Sequence, residues 1–321
     1  MAWQAPAESP KGSFSRNSTP VKGASRFTGQ AGQGAWGTLL TSMTNDNCKR
    51  SLHFSHDNFL VAFLEDKVEF DFVNKNVLVT GSSRGVGRAI AQRFAESGAR
   101  VAIHYHKNHQ AAERTFAELP GGPHLLVQGD VSDPLSVQEM VDTVLNAMER
   151  IHVLVNNAGI FEEYPIIELT YEQWQQKWEH TIRTNLLGPA NTSFCLIQHM
   201  KKRGGGKIVN VSSRGAFRGE TDAPAYGASK AGLNSLSQSM ALALAQYNIF
   251  VYVVAPGFID TDMTAEMLSG PKGDAIRGQS PLGRVALPEE VARTVVFLAS
   301  EGTDYLTGCI VDVNGASYLR S

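Results

Sequence analysis

A tyrosine and a lysine four residues apart are the first pair in this chain whose spacing could do chemistry. Tyr226 and Lys230 open a long stretch of helical pattern, so they lie on one face of a helix. An isolated tyrosine has a pKa of about 10, too high for efficient proton exchange at neutral pH. A nearby ammonium group stabilises the phenolate and lowers that pKa. The spacing indicates a general acid and base, although such a pair alone is more typical of an amphipathic surface.

Polar or glycine-containing turns follow several predicted strands, and we expect them to lie near Tyr226 and Lys230. Ser212-Ser213 follows the fifth strand, Asn156-Asn157-Ala158-Gly159 the fourth, and Pro256-Gly257 the sixth. Asn185 lies in a helical region between the fourth and fifth strands. Open α/β sheets bind ligands at the carboxyl ends of their strands, so we expect these segments to meet at one site.

A glycine-rich turn follows the first predicted strand. Gly81, Gly85 and Gly87 stand between that strand and a helical pattern that begins at Arg88. Glycines allow a tight turn and the close approach of a pyrophosphate, while the helix N-terminus offers unpaired N–H groups. A glycine cluster alone is compatible with a plain strand–helix turn. In this position it predicts a dinucleotide site.

The end of the second predicted strand indicates which dinucleotide is preferred. An acidic residue roughly 20 residues past the glycines usually binds the free ribose 2′-hydroxyl of NAD. Here the chain reads His104-Tyr105-His106-Lys107, without a carboxylate, and Arg84 lies in the glycine turn. Cations without an acid favour a 2′-phosphate, so we predict NADP, with NAD as the alternative. His104, His106 and His109 lack Cys or acidic co-ligands, and we expect no metal there.

The elements that position these residues follow from the hydrophobic pattern. Short apolar runs rich in β-branched residues alternate with segments of helical period, which predicts βαβ units and a parallel sheet. Because the runs are continuously apolar, both faces of the sheet should be covered by helices. The fold class is therefore α/β, a doubly wound seven-stranded parallel sheet. The predicted strands span residues 76–80, 100–105, 124–128, 151–155, 207–211, 249–255 and 309–313.

Composition excludes several classes of protein. Of 321 residues 42% are hydrophobic and 19% charged, and the net charge is −2, which lacks the basic footprint of nucleic-acid binding. The widely spaced Cys48, Cys195 and Cys309 indicate a reducing compartment rather than a disulfide framework. No run reaches the roughly 18 apolar residues of a membrane span. We expect a cytoplasmic protein without membrane or nucleic-acid partners.

The N-terminal part has a different composition. Residues 1–50 are rich in Ser and Thr and contain only two acids, Glu8 and Asp46. This predicts an extension over residues 1–72, largely disordered or a targeting segment, followed by a catalytic domain over residues 73–321. A basic, acid-poor leader is also typical of transit peptides, and that alternative would place the protein in a plastid or mitochondrion.

In combination, these motifs resemble the short-chain dehydrogenase/reductase family. The glycine turn, Asn-Asn-Ala-Gly, the Ser…Tyr-x-x-x-Lys spacing and Pro-Gly occur in family order over residues 73–321. The resemblance implies a Rossmann-like fold and NAD(P)H-dependent reduction of a ketone. It implies that Tyr226 donates the proton, Lys230 lowers the tyrosine pKa and holds the ribose, and Ser213 polarises the carbonyl. Asn185 would position a water, and Ser212 is the competitor for the serine role.

The same resemblance implies a set of cofactor-binding positions from the glycine turn to the turn after the sixth strand. Tyr226 and Lys230 belong to this set as well as to the catalytic one. The remaining positions are Gly81, Ser83, Arg84, Gly85, Val86, Gly87, Tyr105, His106, Asp130, Val131, Asn157, Ala158, Gly159, Pro256, Gly257, Ile259 and Thr261.

Substrate identity is less constrained. Residues 256–263, 305–308 and 313–315 resemble 3-oxoacyl–acyl-carrier-protein reductases, and the resemblance implies a homotetramer or dimer. A sugar dehydrogenase or general ketone reductase is the alternative, and a non-catalytic dinucleotide-binding sensor is the alternative from another class. The basic run Lys201-Lys202-Arg203 is either a carrier-protein contact or a solvated helix end. The glycine-rich segment 261–284 predicts a lid, and Gly315-Ala316 departs from the more usual Gly-Gly.

Overall fold

Seven parallel strands form a single sheet in the order β3-β2-β1-β4-β5-β6-β7 in the computed structural model, which describes residues 70–262 and 264–320. The described residues belong to a compact unit, Glu65–Ser321. The predicted extension over residues 1–72 lies almost wholly outside the described part. The strands are β1 Asn76–Val79, β2 Arg100–Tyr105, β3 Leu125–Gln128, β4 Val153–Asn156, β5 Gly206–Val211, β6 Ile249–Pro256 and β7 Ile310–Val313.

Helices follow the strands in alternation, as the sequence predicts. The helices of the described residues are α1 Gly85–Glu96, α2 His109–Glu118, α3 Pro134–Met148, α4 Tyr171–Ile182, α5 Gly188–Lys202, α6 Pro224–Leu244, α7 Ala265–Leu268, α8 Gly270–Arg277 and α9 Pro288–Ala299. A π-helical segment, Arg183–Leu187, joins α4 to α5. The fold is an α/β doubly wound parallel sheet, which confirms the predicted class.

Two hydrophobic clusters cover the two faces of the sheet. One packs α1 and α9 against the strands, with Phe94 and Val295 fully buried. The other packs α3, α5 and α6, with Met140 and Leu196 at its centre. Alternate side chains of β1 to β6 enter opposite clusters, which is why these strand sequences are continuously apolar.

The N-terminal border of the core lies slightly before the predicted domain boundary. Phe72 is buried and its ring meets that of Phe94 edge-on, with centroids 4.9 Å apart. Within the described ranges, no helix is long and apolar enough to cross a membrane.

The strand order reverses direction between β1 and β4. The connection after β1 leads to β2 on one side, whereas β4 lies on the other side of β1. The loops after these two strands therefore diverge and leave a crevice at the carboxyl edge of the sheet. This crevice is where the segments singled out in the sequence meet.

Candidate active site

A cleft of about 690 Å³ opens at the carboxyl edge of the sheet. Residues after six of the seven strands line it, because all strands are parallel and end at the same edge. Every predicted cofactor-binding residue lines this cleft, together with Ser213, Tyr226 and Lys230. Asn185 is the one predicted site residue that does not line it, since its side chain is completely buried.

The glycine turn after β1 has the geometry that a bound pyrophosphate needs. Gly81 and Gly85 adopt φ of +63° and +55°, the left-handed region that favours glycine. A Cβ on Gly87 would clash with the Gly81 carbonyl and lie 2.5 Å from Asn157 Nδ2. The α1 N-cap, Arg84, makes no side-chain capping bond, so the first N–H groups of the helix face the cleft without a local acceptor. These features fit a dinucleotide phosphate.

The loop after β4 fixes this turn from the other side. Asn157 Nδ2 donates to the carbonyls of Thr80 and Gly81, both at 3.0 Å. The Thr80 hydroxyl accepts the backbone N–H groups of Asn157 and Ala158 at 3.0 Å. Asn157 therefore braces the glycine turn rather than the sheet alone. This contact explains why an asparagine follows β4 directly.

His104 supports the glycine turn from beneath, a role that the sequence did not indicate. Its Nδ1 accepts the Gly81 N–H at 2.9 Å, and its Nε2 lies 3.0 Å from the Gly129 carbonyl. Burial lowers the pKa of His104 to about 4, so the ring is neutral at pH 7. Of the other clustered histidines, His106 faces Asp130 at 3.4 Å and His109 faces Glu113 at 3.4 Å.

The corner where a cofactor ribose would lie carries both signs of charge. Arg84, His106 and Lys107 line it, as the sequence predicts. Asp130 lies across from them, and two Ser132 groups hydrogen-bond its Oδ1, the N–H at 2.9 Å and the hydroxyl at 2.7 Å. These hydrogen bonds, with the nearby His106 and Lys107, lower the Asp130 pKa although burial alone would raise it. Asp130 does not cap α3, whose N-cap is Asp133.

Lys230 lies on the cleft floor and is only 4% exposed. Its Nζ donates to the Val211 carbonyl at 2.9 Å and lies 5.8 Å from the centroid of the Tyr226 ring. Burial lowers its pKa to about 8. A Cβ on Gly159 would come within 3.5 Å of Nζ, so this glycine keeps the approach to the amine open.

Tyr226 stands one helical turn before Lys230 and beside Ser213. Burial raises the Tyr226 pKa, and a hydrogen bond with Ser213 partly offsets that rise. This is the opposite direction from the one expected from Lys230 alone, because burial penalises the charged phenolate. Phe161 meets the Tyr226 ring edge-on, with centroids 4.9 Å apart, and fixes its orientation.

The two serines after β5 have different partners. Ser212 is buried, and its hydroxyl donates to the Lys230 backbone carbonyl at 3.2 Å. Both serines line the cleft, and the Ser213 Oγ accepts the Gly215 N–H at 3.0 Å. Ser212 therefore ties β5 to α6, while Ser213 is the serine beside Tyr226. The geometry favours Ser213 for the role at the carbonyl.

Asn185 lies in the π-helical segment and holds the chain that follows β4. Its Oδ1 accepts the Ile160 N–H at 2.8 Å, and its Nδ2 donates to the Ile160 carbonyl at 2.9 Å. Nδ2 also reaches the Ser229 hydroxyl at 3.2 Å. These bonds engage both ends of the amide in holding the loop after β4, and the water-positioning role that the resemblance implies stays a prediction.

The segment after β6 closes one side of the cleft. Thr261 packs on the glycine turn, where a Cβ on Gly85 would meet its Cγ2 at 3.5 Å. The predicted lid contains the short helices α7 and α8, and the N-cap of α7 is Thr264. Its Gly-rich composition is why the sequence did not predict these helices.

Two other predictions have a defined place in the fold. Lys201-Lys202-Arg203 ends α5 and leads into the first residue of β5, so it lies at the amino edge of the sheet, opposite the cleft of its own chain. Ala316, at the Gly-Ala departure, adopts φ of +57°, a conformation that strains a residue with a Cβ.

The sequence reasoning missed several residues of the substrate half of the cleft. Phe161, His180, Arg214, Glu220, Phe258 and Met267 line it in addition to the predicted set. They come from five different segments and form no motif. The only available signal was their position shortly after a strand or beside the tyrosine.

Comparisons with known proteins agree with this geometry. A family model described as enoyl-(acyl carrier protein) reductase matches residues 81–316. The 3-oxoacyl-(acyl-carrier-protein) reductase FabG of Chlamydia trachomatis is 39% identical over 76% of this chain and 97% of its own length. The enzyme of the same name from Aquifex aeolicus is 36% identical over 78% of this chain and 100% of its own.

Solved structures are similar over the same region. A dehydrogenase/reductase from Sinorhizobium meliloti superposes with a TM-score of 0.73 at 28% identity, over 78% of this chain and 98% of the other. A short chain dehydrogenase from Burkholderia cenocepacia, solved in complex with NADP, has a TM-score of 0.71 at 33% identity, over 76% and 98%.

Proposed function

This chain belongs to the short-chain dehydrogenase/reductase family, and we propose that it is the NADPH-dependent reductase of a 3-oxoacyl thioester. Membership makes it an oxidoreductase of CH–OH and C=O groups that binds a nicotinamide dinucleotide. The observation that carries the proposal is the convergence of Ser213, Tyr226 and Lys230 on the cleft that the glycine turn lines.

Each of the three side chains has a distinct task in the proposed reduction. A nicotinamide dinucleotide held by the glycine turn and Lys230 would supply the hydride for the carbonyl carbon. The Ser213 hydroxyl donates a hydrogen bond to the carbonyl oxygen, which stabilises the charge that develops there. The Tyr226 hydroxyl transfers its proton to the same oxygen, so that the product is a secondary alcohol. Reprotonation of Tyr226 from solvent restores the site.

Lys230 supports this transfer from the floor of the cleft. An ammonium carries three N–H donors, and one of them bonds the Val211 carbonyl. We assign the others to the nicotinamide ribose and to Tyr226. Asn185 acts one step further away, because its bonds to Ile160 hold the loop that faces Lys230.

The preference for NADPH rests on the charges of the ribose corner. Arg84, His106 and Lys107 line that corner and match a 2′-phosphate. Asp130 is occupied by Ser132 and faces His106 at 3.4 Å, so it partly offsets the positive charge. We expect Arg84→Ala to reduce the ratio of NADPH to NADH efficiency, with Arg88→Ala, on the same helix, as the control.

The substrate class rests on similarity to the named relatives and on the lining of the cleft. Relatives 36–39% identical carry the name 3-oxoacyl-(acyl-carrier-protein) reductase. Phe161, Phe258 and Met267 give the substrate half of the cleft an apolar wall that suits an acyl chain. A carrier-bound thioester fits this class, as does a free one.

We also propose that the protein works as a homo-oligomer. Phe194 on α5 and Leu242 on α6 are 70% and 87% exposed, and Leu187 lies nearby in sequence before α5. Large apolar side chains on consecutive helices are costly in water and typical of a contact between copies. Sedimentation at micromolar concentration should give a dimer or tetramer, which Leu242→Glu should dissociate.

The deciding experiment is oxidation of NADPH and NADH with an acetoacetyl thioester, both as the carrier-protein conjugate and as a small-molecule thioester. Wild type should turn over with NADPH, and Tyr226→Phe should lose almost all activity. Tyr305→Phe, at a fully exposed tyrosine, is the matched control and should remain active. Turnover of a sugar or simple ketone in place of the thioester would refute the substrate class. Tight NADPH binding without any turnover would refute the reductase function.

A further inference from the structure

Glu220 occupies the space between the catalytic serine turn and the catalytic helix. A Cβ on Gly215, two residues after Ser213, would lie 2.6 Å from Glu220 Oε1. A Cβ on Gly227, the residue after Tyr226, would lie 3.9 Å from Glu220 Cγ. Gly215 thus makes room for this side chain, which lies within van der Waals distance of the Gly227 position and also lines the cleft. A carboxylate is built into the wall beside the proton donor.

The charges around this carboxylate do not neutralise it at contact distance. Arg218 Nε approaches Glu220 Oε1 to 3.8 Å, a weak and partly exposed pair. Arg214 is directed elsewhere, since its guanidinium bonds Ser317 and Gln279 and stacks over Phe258. Burial raises the pKa of Glu220, the two arginines oppose that rise, and Glu163 adds to it.

We infer that Glu220 disfavours the phenolate of Tyr226 and so extends to higher pH the range over which Tyr226 can donate a proton. The inference rests on the proposed role of Tyr226 as the acid of a carbonyl reductase. A negative charge beside the phenol disfavours a second negative charge on it. Reduction needs the phenol and alcohol oxidation needs the phenolate, so Glu220 moves the onset of oxidation to higher pH.

The other groups that face Tyr226 either favour its phenolate, disfavour it or carry no charge. The Lys230 Nζ lies 5.8 Å from the centroid of the Tyr226 ring, and a nearby cation in general favours a phenolate. The Ser213 hydroxyl favours it by hydrogen bonding. Phe161, which packs on the ring, is neutral. Burial and Glu220 both raise the Tyr226 pKa. Glu220 is therefore the charged neighbour that opposes Lys230.

Two substitutions with opposite expected signs test the inference. Glu220→Gln keeps the shape of the side chain and removes its charge, so Tyr226 should form about tenfold more phenolate at a given pH. Arg218→Gln removes the nearest cation from Glu220, so Tyr226 should form less phenolate at a given pH. Glu172→Gln, an exposed site on α4, is the control and should change nothing.

The readout is the ionisation of Tyr226 in the complex with NADP⁺, followed by NMR of protein labelled at tyrosine Cζ. The Tyr226→Phe variant assigns the resonance, and no substrate is needed. Opposite shifts for Glu220→Gln and Arg218→Gln would support the inference, because a structural defect would not reverse sign. An unchanged midpoint in both variants would overturn it. If Glu220→Gln fails to fold, an unmoved midpoint in Arg218→Gln overturns it alone.

A kinetic measurement separates this inference from the proposed function. With a 3-hydroxyacyl thioester and NADP⁺, the pH profile of oxidation in Glu220→Gln should move to lower pH. The expected shift is about one pH unit, which corresponds to the tenfold change in phenolate. Reduction at pH 7 should change little, because Tyr226 remains mostly protonated. Shifted tyrosine ionisation without thioester turnover would refute only the substrate class. Thioester turnover with an unmoved midpoint would refute only the role of Glu220.

Discussion

Acid should destabilise this protein through His104, the neutral histidine beneath the glycine turn. The Gly81 N–H donates to its Nδ1, and its Nε2 donates to the Gly129 carbonyl. A second proton on the ring would break the bond to Gly81 and place a charge in a site that is 2% exposed. Lowering the pH from 7 to 5 is therefore a specific perturbation of the dinucleotide loop.

The expected size follows from the two pKa values of the histidine. Burial lowers the pKa from 6.5 to about 4 in the folded protein. Between these values the unfolded chain binds a proton that the folded chain excludes, so stability is present above pH 6.5 and falls as the pH drops. The loss at pH 5 relative to pH 7 amounts to about 2 kcal/mol from this residue, and it levels off below pH 4.

Urea unfolding at fixed protein concentration, at pH 7, 6 and 5, measures this loss. His104→Asn keeps a donor and an acceptor but does not titrate in this range, so its free energy of unfolding should fall about 2 kcal/mol less than that of wild type. Val144→Ala, a core substitution on α3, should lower stability equally at every pH. Equal pH dependence in wild type and His104→Asn would refute the reasoning.

Part of the remaining pH dependence should come from His152. It accepts the Asn76 N–H at 2.9 Å at the amino edge of the sheet, and burial and nearby cations lower its pKa to about 4. Its contribution should be smaller than that of His104, because the side chain is only half-buried. The two sites lie at opposite ends of the sheet. When both histidines are replaced, their separate effects on the pH dependence of the free energy of unfolding should therefore add.

Three further predictions concern single substitutions. Gly87→Ala should weaken NADPH binding at least about tenfold in a fluorescence titration, because its Cβ would displace the Gly81 carbonyl; unchanged affinity would contradict the packing of the turn. Ser213→Ala should reduce kcat about a hundredfold, whereas Ser212→Ala should mainly cost about 1 kcal/mol of stability; a reversed result would exchange their roles. Ala316→Gly should raise the stability by about 1 kcal/mol in urea unfolding, since glycine tolerates φ of +57° without strain, and a loss would refute this.

The amino-acid sequence alone determines the architecture and most of the cleft. Continuous apolar strands alternating with helical segments require a parallel sheet covered on both faces, and all seven predicted strands occur within about two residues of their predicted bounds. Because parallel strands end at one edge, the turns after them must line a common cleft. Local spacing was enough to place Tyr226 and Lys230 on one face, and the glycine turn before α1.

The tertiary structure determined the pKa values in the cleft and the separate roles of neighbouring residues. The pKa of Tyr226 depends on burial and on Glu220, and neither follows from the Tyr-x-x-x-Lys spacing. The different tasks of Ser212 and Ser213, the bonds of Asn185 to Ile160 and the support that His104 gives to Gly81 are contacts between segments distant in the chain. Local sequence patterns encode which elements form, whereas desolvation and hydrogen-bond partners arise only when those elements pack together.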